Sequence, residues 1–209
     1  MDVQFYGANC VVVNYKGTRV VIDDTLDELG AKSVLKPGDL ALYSGPHGAS
    51  KVEVKLVVDR PGEYEMGDVS VHGVAAQAHI DEKGTKAVTM FKVTAGDVNL
   101  LFTGNIYPNI SEAQLEDIGK VDVLFVPVGG NGYTLDPIGA LKVIKEVEPK
   151  MVVPLHYADP ALNFPMPQQD LEVAVKELSM EVSQTVPKLK FKVGDFAEGM
   201  HLVVLEKAN

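Results

Sequence analysis

The sequence has few of the features that would tie it to an oxidising compartment or to a membrane. Its 209 residues include a single cysteine, Cys10, which cannot form an internal disulfide, so we expect a cytoplasmic protein. No apolar run approaches the ~20 residues that a membrane-spanning helix requires. The first residues, Met1-Asp2-Val3-Gln4-Phe5, lack the basic segment of a signal peptide, so we expect no leader.

Positive charge is also scarce. The chain has 29 acidic and 19 basic residues, which gives a net charge of −10 at pH 7. An acidic chain repels phosphate backbones and no basic cluster offsets that repulsion, so we expect no nucleic-acid partner. Hydrophobic residues make up 46% of the chain and charged residues 23%, which is typical of a globular protein. The length favours one domain over residues 1–209.

The first half of the chain consists of short runs of β-branched and apolar residues that end at turn residues, which predicts strands. Lys16-Gly17 and Ala95-Gly96-Asp97 predict hairpin turns between neighbouring strands. The predicted strands are Val3–Tyr6, Cys10–Tyr15, Thr18–Asp23, Leu40–Tyr43, Val54–Val58, Val69–Val74, Ala87–Val93 and Val98–Thr103.

The second half alternates strands with helices. Ser111-Glu112-Ala113-Gln114 matches a capping box and predicts a helix to Ile118, and Asp136-Pro137 predicts the start of another. Gln168–Met180 predicts a third helix. The predicted strands are Val121–Val128, Met151–Leu155, Leu189–Val193 and His201–Leu205. Fully apolar strands need cover on both faces, so the fold class is a layered α/β sandwich.

Five histidines are the first candidates for chemistry. His72 and His201 lie within predicted strands, where a structural role is expected. His47, His79 and His156 lie at strand ends, and neutral imidazole is a good zinc ligand, although spacing alone leaves a structural role open. The sequence lacks the nucleotide-binding glycine motifs, a Cys-x-x-Cys pair and a serine-hydrolase elbow. Nothing near Cys10 would activate its thiol, so we predict a buried, inert cysteine.

Several segments, in order along the chain, resemble the metallo-β-lactamase superfamily. They fit its branch of small zinc-dependent hydrolases, which includes ascorbate-6-phosphate lactonase. The segments are Tyr6-Gly7-Ala8-Asn9-Cys10, Val21-Ile22-Asp23, Pro61-Gly62-Glu63-Tyr64-Glu65, Leu101-Phe102-Thr103-Gly104-Asn105, Val126-Pro127-Val128-Gly129-Gly130 and Val153-Pro154-Leu155-His156-Tyr157. The resemblance implies a four-layer αββα sandwich with two sheets inside and helices outside.

The metal site of that family is where this chain departs from the pattern. The family signature, His-x-His-x-Asp-His, falls on Gly45, His47, Ala49 and Ser50, so one ligand of four remains. The resemblance places the two later family histidines at His79 and His156, and the bridging aspartate at Asn105. These positions offer no carboxylate. Two divalent ions ~3.5–4 Å apart would face only neutral donors, so we expect no two-metal centre.

The sequence leaves three functions open. The first, which we favour, is an inactive or weakly active relative of the zinc hydrolases that binds a small ligand or a partner in the old cleft. The backbone amides of Gly48–Ser50 and the Ser50 hydroxyl are candidates for binding an anion there.

The second function is a one-metal hydrolase of small esters, lactones or phosphoesters. A single zinc ion would be held by His47, His79 and His156, with Asn105 as a fourth contact, and would activate a water molecule. Candidate acid–base groups are Asp23, Glu63 and Asp81. The third function is a scaffold or oligomerisation module without a ligand.

Overall fold

The computed structural model describes residues 1–82, 84–191, 196 and 198–208. These residues form two β-sheets that pack face to face and three helices. The first eight strands are β1 (Asp2–Gly7), β2 (Cys10–Tyr15), β3 (Thr18–Ile22), β4 (Leu40–Leu42), β5 (Leu56–Val58), β6 (Gly62–Met66), β7 (Val69–Ala76) and β8 (Val88–Ala95). The remaining elements are β9 (Val98–Phe102), α1 (Glu112–Ile118), β10 (Val123–Pro127), α2 (Pro137–Val147), β11 (Met151–Leu155), α3 (Leu171–Leu178), β12 (Val182–Val186), β13 (Leu189–Lys190) and β14 (His201–Leu205).

The two sheets share an apolar interior. One has six strands in the order β13-β1-β2-β3-β4-β5, and the other has eight in the order β12-β14-β11-β10-β9-β8-β7-β6. Residues on β1 are alternately buried and half-buried, because successive side chains of a strand point to opposite faces. The buried faces of both sheets form one cluster, in which Phe102 and Phe125 stack with ring centroids 4.5 Å apart.

The helices cover the outer face of the eight-stranded sheet. Ile118, Ile144 and Leu178, one from each helix, belong to the same buried cluster as Leu124 and Val152 of that sheet. The outer face of the six-stranded sheet packs instead on a segment of turns that includes Leu26 and Leu35. The predicted α/β sandwich is confirmed. Its outer layer on the six-stranded sheet consists of turns, and its outer layer on the eight-stranded sheet consists of the helices. No helix in the described part of the chain is long and apolar enough to cross a membrane.

Helix α2 begins as its sequence predicts. The Asp136 side chain accepts a hydrogen bond from the Gly139 amide at 2.7 Å, and Pro137 fills the first helical turn, where its missing N–H costs nothing. We expect Asp136→Ala to lower the free energy of unfolding by about 1 kcal/mol in denaturant titrations. Asp170 at the start of α3 makes no side-chain capping bond, so Asp170→Ala is the matched control and should cost clearly less. Equal losses would contradict the capping role of Asp136.

The structure also differs from the predicted elements in places. Strands β6 and β12 were not predicted, because Gly62–Met66 and Val182–Val186 carry several exposed polar residues and little continuous apolar character. The third helix spans Leu171–Leu178 rather than Gln168–Met180, and Ser179 ends it in a left-handed conformation. Leu189 and Lys190 form the closing strand β13, whereas residues 192 and 193 of the predicted Leu189–Val193 lie outside the described residues.

Parallel pairing determines where the loops meet. Strands β9, β10, β11, β14 and β12 are parallel neighbours in one sheet, and β3, β4 and β5 are parallel neighbours in the other. The carboxyl ends of parallel strands lie at one edge of a sheet, where α/β folds place their ligands. Asp23, Ser44, Asn105 and His156 all follow such strand ends closely.

Candidate functional site

A cavity of about 440 Å³ opens at this edge of the sandwich. Loops that follow strands of both sheets line it: Asp23 and Ser44 follow strands of the six-stranded sheet, and His79, Asn105 and His156 follow strands of the eight-stranded one. Its wall also contains Ala8, Asn9, Glu28, Tyr133 and Phe164. A concave space of this size with a few converging polar groups is typical of a small-molecule site.

Asn105 is the hub of a polar network. Its Oδ1 accepts one hydrogen bond from Asn9 Nδ2 and another from Thr134 Oγ1, both at 2.9 Å. An amide oxygen has two lone pairs, so these two donors use its accepting capacity. Asn9 is 8% exposed, and its Oδ1 has no hydrogen-bond partner in the described part of the chain. A buried acceptor without a donor is costly, and this oxygen has almost no accessible surface, so it lies beneath the cavity wall rather than facing a ligand.

His156 is held by contacts on two sides. Its backbone amide donates to the Ala8 carbonyl at 2.9 Å, and its ring lies 5.1 Å from Phe164 and 5.9 Å from Tyr133 between centroids. Gln168 Nε2 donates to the Met166 carbonyl, which leaves Gln168 Oε1 to accept from His156 Nδ1 at 3.1 Å. Nδ1 therefore carries the proton.

The tautomer determines what the other ring nitrogen can do. Burial lowers the pKa of His156, with the Gln168 hydrogen bond opposing that shift, so the ring is neutral near pH 7. Nε2 then has a free lone pair, and it makes no hydrogen bond to the residues that the structure describes. It can accept a hydrogen bond or bind a cation.

His79 reaches the same cavity from the end of β7. Its backbone amide donates to the Asn105 carbonyl at 2.8 Å, which links the two residues directly. Its Nδ1 is buried and unpartnered among the described residues. The structure therefore brings three of the four predicted site residues, His79, His156 and Asn105, to one cavity.

Asp23 supplies a buried carboxylate. Its Oδ1 accepts from the Ser44 amide at 2.6 Å and its Oδ2 from the Ser44 hydroxyl at 2.7 Å. Burial raises the pKa of Asp23 to about 6, although the hydrogen bonds from Ser44 pull it in the other direction. Asp23 is thus mostly ionised at pH 7 and no cation pairs with it in the described chain. Of the predicted acid–base candidates, it is the one that lines the cavity.

His47 is placed elsewhere. It lines a second pocket of about 220 Å³, where its ring stacks on Tyr43 with centroids 3.7 Å apart and Nδ1 lies 2.8 Å from the Gly48 carbonyl. The predicted set of three histidines around one ion is therefore not assembled: two share the cavity and His47 does not. Local aromatic stacking draws the His47 ring to Tyr43, four residues earlier.

The predicted anion contacts of this loop are also absent. The Gly48 amide donates to the Glu28 carboxylate at 2.8 Å, and the Ser50 hydroxyl donates to the Val52 carbonyl at 2.7 Å. Both donors are thus satisfied by the chain itself. A carboxylate beside the Gly48 amide would repel an anion there, so the Gly48 amide and the Ser50 hydroxyl are not free to form the predicted anion site.

The other candidates lie outside the cavity wall. Glu63 is exposed on β6 and lies 3.7 Å from His72, whose Nε2 is 2.9 Å from Asp117. Asp81 Oδ2 is buried and unpartnered among the described residues. His201 Nε2 contacts the Glu198 carbonyl at 3.0 Å. Cys10 is fully buried and free, as predicted, and burial raises the pKa of its thiol.

The donor set does not fit the two-metal centre of the family. Within the described ranges, no three His, Cys, Asp or Glu side chains are placed to hold a metal ion together. At the position of the bridging aspartate, Asn105 offers a neutral oxygen that already accepts two hydrogen bonds. Of the two carboxylates in the cavity wall, Asp23 accepts one hydrogen bond from Ser44 on each oxygen and Glu28 accepts one from the Gly48 amide.

Sequence reasoning did not single out four residues that shape this site. Gln168 sets the His156 tautomer, Thr134 and Asn9 orient the Asn105 amide, and Phe164 walls the cavity. Asn9 and Asn105 are 96 positions apart, so no local spacing could pair them. Asn9 lies in the segment Tyr6-Gly7-Ala8-Asn9-Cys10, which resembles the family. That resemblance was the one sequence feature that could have identified Asn9 as a site residue.

Comparisons with known proteins agree with the fold. A family model described as the beta-lactamase superfamily domain matches residues 2–156. The chain is 30% identical over 173 residues to a UPF0173 metal-dependent hydrolase of Bacillus cereus (strain B4264), which covers 75% of this chain and 70% of that relative. This chain is also 24% identical over 205 residues to a UPF0173 protein of Pyrococcus furiosus, and the match covers 85% of this chain and 96% of that relative.

Solved structures show the same architecture. A metallo-beta-lactamase superfamily protein of Thermotoga maritima superposes with a TM-score of 0.78 at 24% identity, over 98% of both chains. Igni18, a metallo hydrolase of Ignicoccus hospitalis, superposes with a TM-score of 0.62 at 15% identity, over 91% of this chain and 99% of its own.

Proposed function

The chain belongs to the beta-lactamase superfamily domain family and to its UPF0173 group of metal-dependent hydrolases, but its described side chains include no group of three placed to hold a metal ion, so we propose that its cleft binds a small molecule without a two-metal centre. In this proposal the protein is a cytoplasmic relative of the hydrolases with little or no hydrolase activity. Its partners are small molecules rather than nucleic acids, in keeping with its net charge of −10.

The state of Asn105 carries the proposal. The resemblance aligns this residue with the aspartate that bridges two metal ions, and here it is a neutral amide whose oxygen accepts from Asn9 and Thr134. The network satisfies the Asn105 oxygen without a metal ion. The free His156 Nε2 then remains available to a ligand.

The first test measures metal content. Protein purified without an affinity tag or chelator is loaded with zinc, desalted and analysed by elemental mass spectrometry. We expect far less than one retained zinc ion per chain, because no three His, Cys, Asp or Glu side chains of the described residues are placed to hold one ion together. Stoichiometric zinc that is lost in His156→Ala would contradict the proposal.

The second test measures ligand binding. A fragment set of mixed charge is screened by ligand-observed NMR against the wild type and against Thr25→Phe, which places a ring in the cavity wall. Ser70→Phe, at an exposed position on β7, is the matched control. We expect binding that Thr25→Phe abolishes and Ser70→Phe leaves intact. Failure of every fragment, or binding that Thr25→Phe does not affect, would overturn the proposed function.

A one-metal hydrolase is the second candidate, and one observation favours it. His79 and His156 share the cavity, and the free Nε2 of His156 is a ligand atom that zinc accepts. A bound ion would supply an activated water for ester, lactone or phosphoester hydrolysis. His47 lies in the other pocket, so a third donor would have to come from elsewhere. The zinc measurement separates the two candidates.

A further inference from the structure

The cavity has an uneven charge distribution. Two carboxylates, Asp23 and Glu28, line it, whereas its described lining residues include no lysine or arginine. Asp23 is 7% exposed and lacks an ionic partner in the part of the chain that the structure describes. An ionised carboxylate in a buried place is costly unless a cation compensates it. The cavity is therefore electrostatically suited to a cation and unsuited to an anion.

The unpartnered hydrogen-bonding atoms of the cavity wall are acceptors, which favour a ligand that donates hydrogen bonds. Asn9 Oδ1 is a buried acceptor without a donor, and Asn9 is more than nine-tenths buried in the cavity wall. His156 Nε2 is a second free acceptor, because Gln168 fixes the proton on Nδ1. His156 Nε2 can therefore accept a hydrogen bond from an N–H or O–H group of a ligand, whereas Asn9 Oδ1 is not exposed at the cavity surface.

Aromatic rings complete the wall. Tyr133 and Phe164 line the cavity near the His156 ring, with centroids 5.9 and 5.1 Å from it. The faces of Tyr and Phe rings attract ammonium groups, and this attraction grows when water is excluded. Carboxylates, a free imidazole nitrogen and aromatic faces in one cavity form a combination that suits an ammonium group.

We infer that the natural ligand of this cavity is a small organic amine, which binds as a primary ammonium group among Asp23, Glu28, His156 Nε2 and the rings of Tyr133 and Phe164. This inference rests on the proposed function and adds the chemical class of the ligand. His156 Nε2 and the two carboxylates can accept hydrogen bonds from an ammonium group, and its positive charge offsets the buried Asp23 carboxylate. A phosphate or carboxylate ligand would face two like charges without a described cationic residue in the wall.

Three probes that share one ring test the inference: benzylammonium, benzyl alcohol and benzoate. Their affinities for chelator-treated protein are measured at pH 7 by NMR titration. We expect benzylammonium to bind about tenfold more tightly than benzyl alcohol. The ammonium group alone is attracted by the carboxylates and by the faces of the aromatic rings, because benzyl alcohol carries no charge. Benzoate should bind more weakly than the alcohol.

Charge-removing variants locate the effect. Glu28→Gln keeps the acceptor for the Gly48 amide and removes one charge at an exposed position, so it should fold normally. We expect this variant and Asp23→Asn to reduce the preference for benzylammonium over benzyl alcohol severalfold. Glu65→Gln removes an exposed charge on β6, outside the cavity wall, and should leave the preference unchanged.

The outcomes separate this inference from the proposed function. Tighter binding of benzoate, equal binding of the three probes, or no loss of preference in Glu28→Gln would overturn the amine assignment. The fragment screen would still support a small-molecule site in each of those cases. If zinc binds stoichiometrically and excludes benzylammonium, both the inference and the metal-free proposal fail.

Discussion

Gly129→Ala is expected to lower the free energy of unfolding by at least about 3 kcal/mol, among the larger losses that one added methyl group can cause. A Cβ at this position would overlap the backbone oxygen of His156 and Oε1 of Gln168, far inside contact distance. The His156 oxygen belongs to the backbone, so relief would require the turn after β11 to move. The same turn carries the His156 ring into the cavity.

Two measurements check this expectation. Denaturant titration gives the stability loss, and NMR shifts of the His156 ring report whether the cavity is disturbed. Gly132→Ala is the matched control, because Gly132 lies in the same loop and its Cβ would meet nothing within 4 Å. It has a φ of +74°, so we expect a backbone cost of only about 1 kcal/mol. Equal losses in the two variants would show that the His156 turn does not pack against Gly129.

Much of the fold was predictable because its signals are local. The hairpin at Lys16-Gly17 joins β2 and β3 as expected, and the Ser111 capping box opens α1 with both of its hydrogen bonds. Apolar runs such as Val123–Pro127 became the central parallel strands. Strand β6 was missed because its polar residues face solvent at the edge of a sheet, where packing imposes little pattern.

The site was predictable only in part, for a physical reason. Strand ends place His79, Asn105 and His156 at one edge, and that placement follows from the sequence order and the resemblance. The orientation of their side chains depends on partners distant in sequence, such as Thr134 for Asn105 and Gln168 for His156. His47 does not join the other predicted site residues, because its ring stacks on Tyr43, four residues earlier, instead of pointing into the cavity.

Asp23→Asn is expected to remove a large pH dependence from the stability of the protein. The pKa of Asp23 is about 6 in the folded state against an ordinary value of 3.8, because burial disfavours the charged carboxylate. The folded state therefore binds the proton more tightly than the unfolded state does. Below pH ~4 both states are mostly protonated, and as pH rises toward ~6 the folded state loses this advantage.

The sign of the effect follows directly. Wild-type stability contains a contribution from Asp23 that falls by about 3 kcal/mol as pH rises from below ~4 to above ~6, and then stays constant. Other groups titrate over the same range, so the informative quantity is the difference between wild type and Asp23→Asn. We expect the variant to gain about 3 kcal/mol relative to wild type between those limits, whatever its absolute stability.

Denaturant titrations from pH 4 to pH 7.5 measure that difference. Asp97→Asn is the control, because Asp97 is an exposed aspartate at the β8–β9 turn and its variant should run parallel to the wild type. A pH-independent difference between wild type and Asp23→Asn would mean that Asp23 is already compensated in the folded state, and the case for a cationic ligand would lose its electrostatic basis. A difference that shrinks when benzylammonium is added would connect the two results, because an ammonium group beside Asp23 favours the carboxylate over the carboxylic acid and so lowers its pKa.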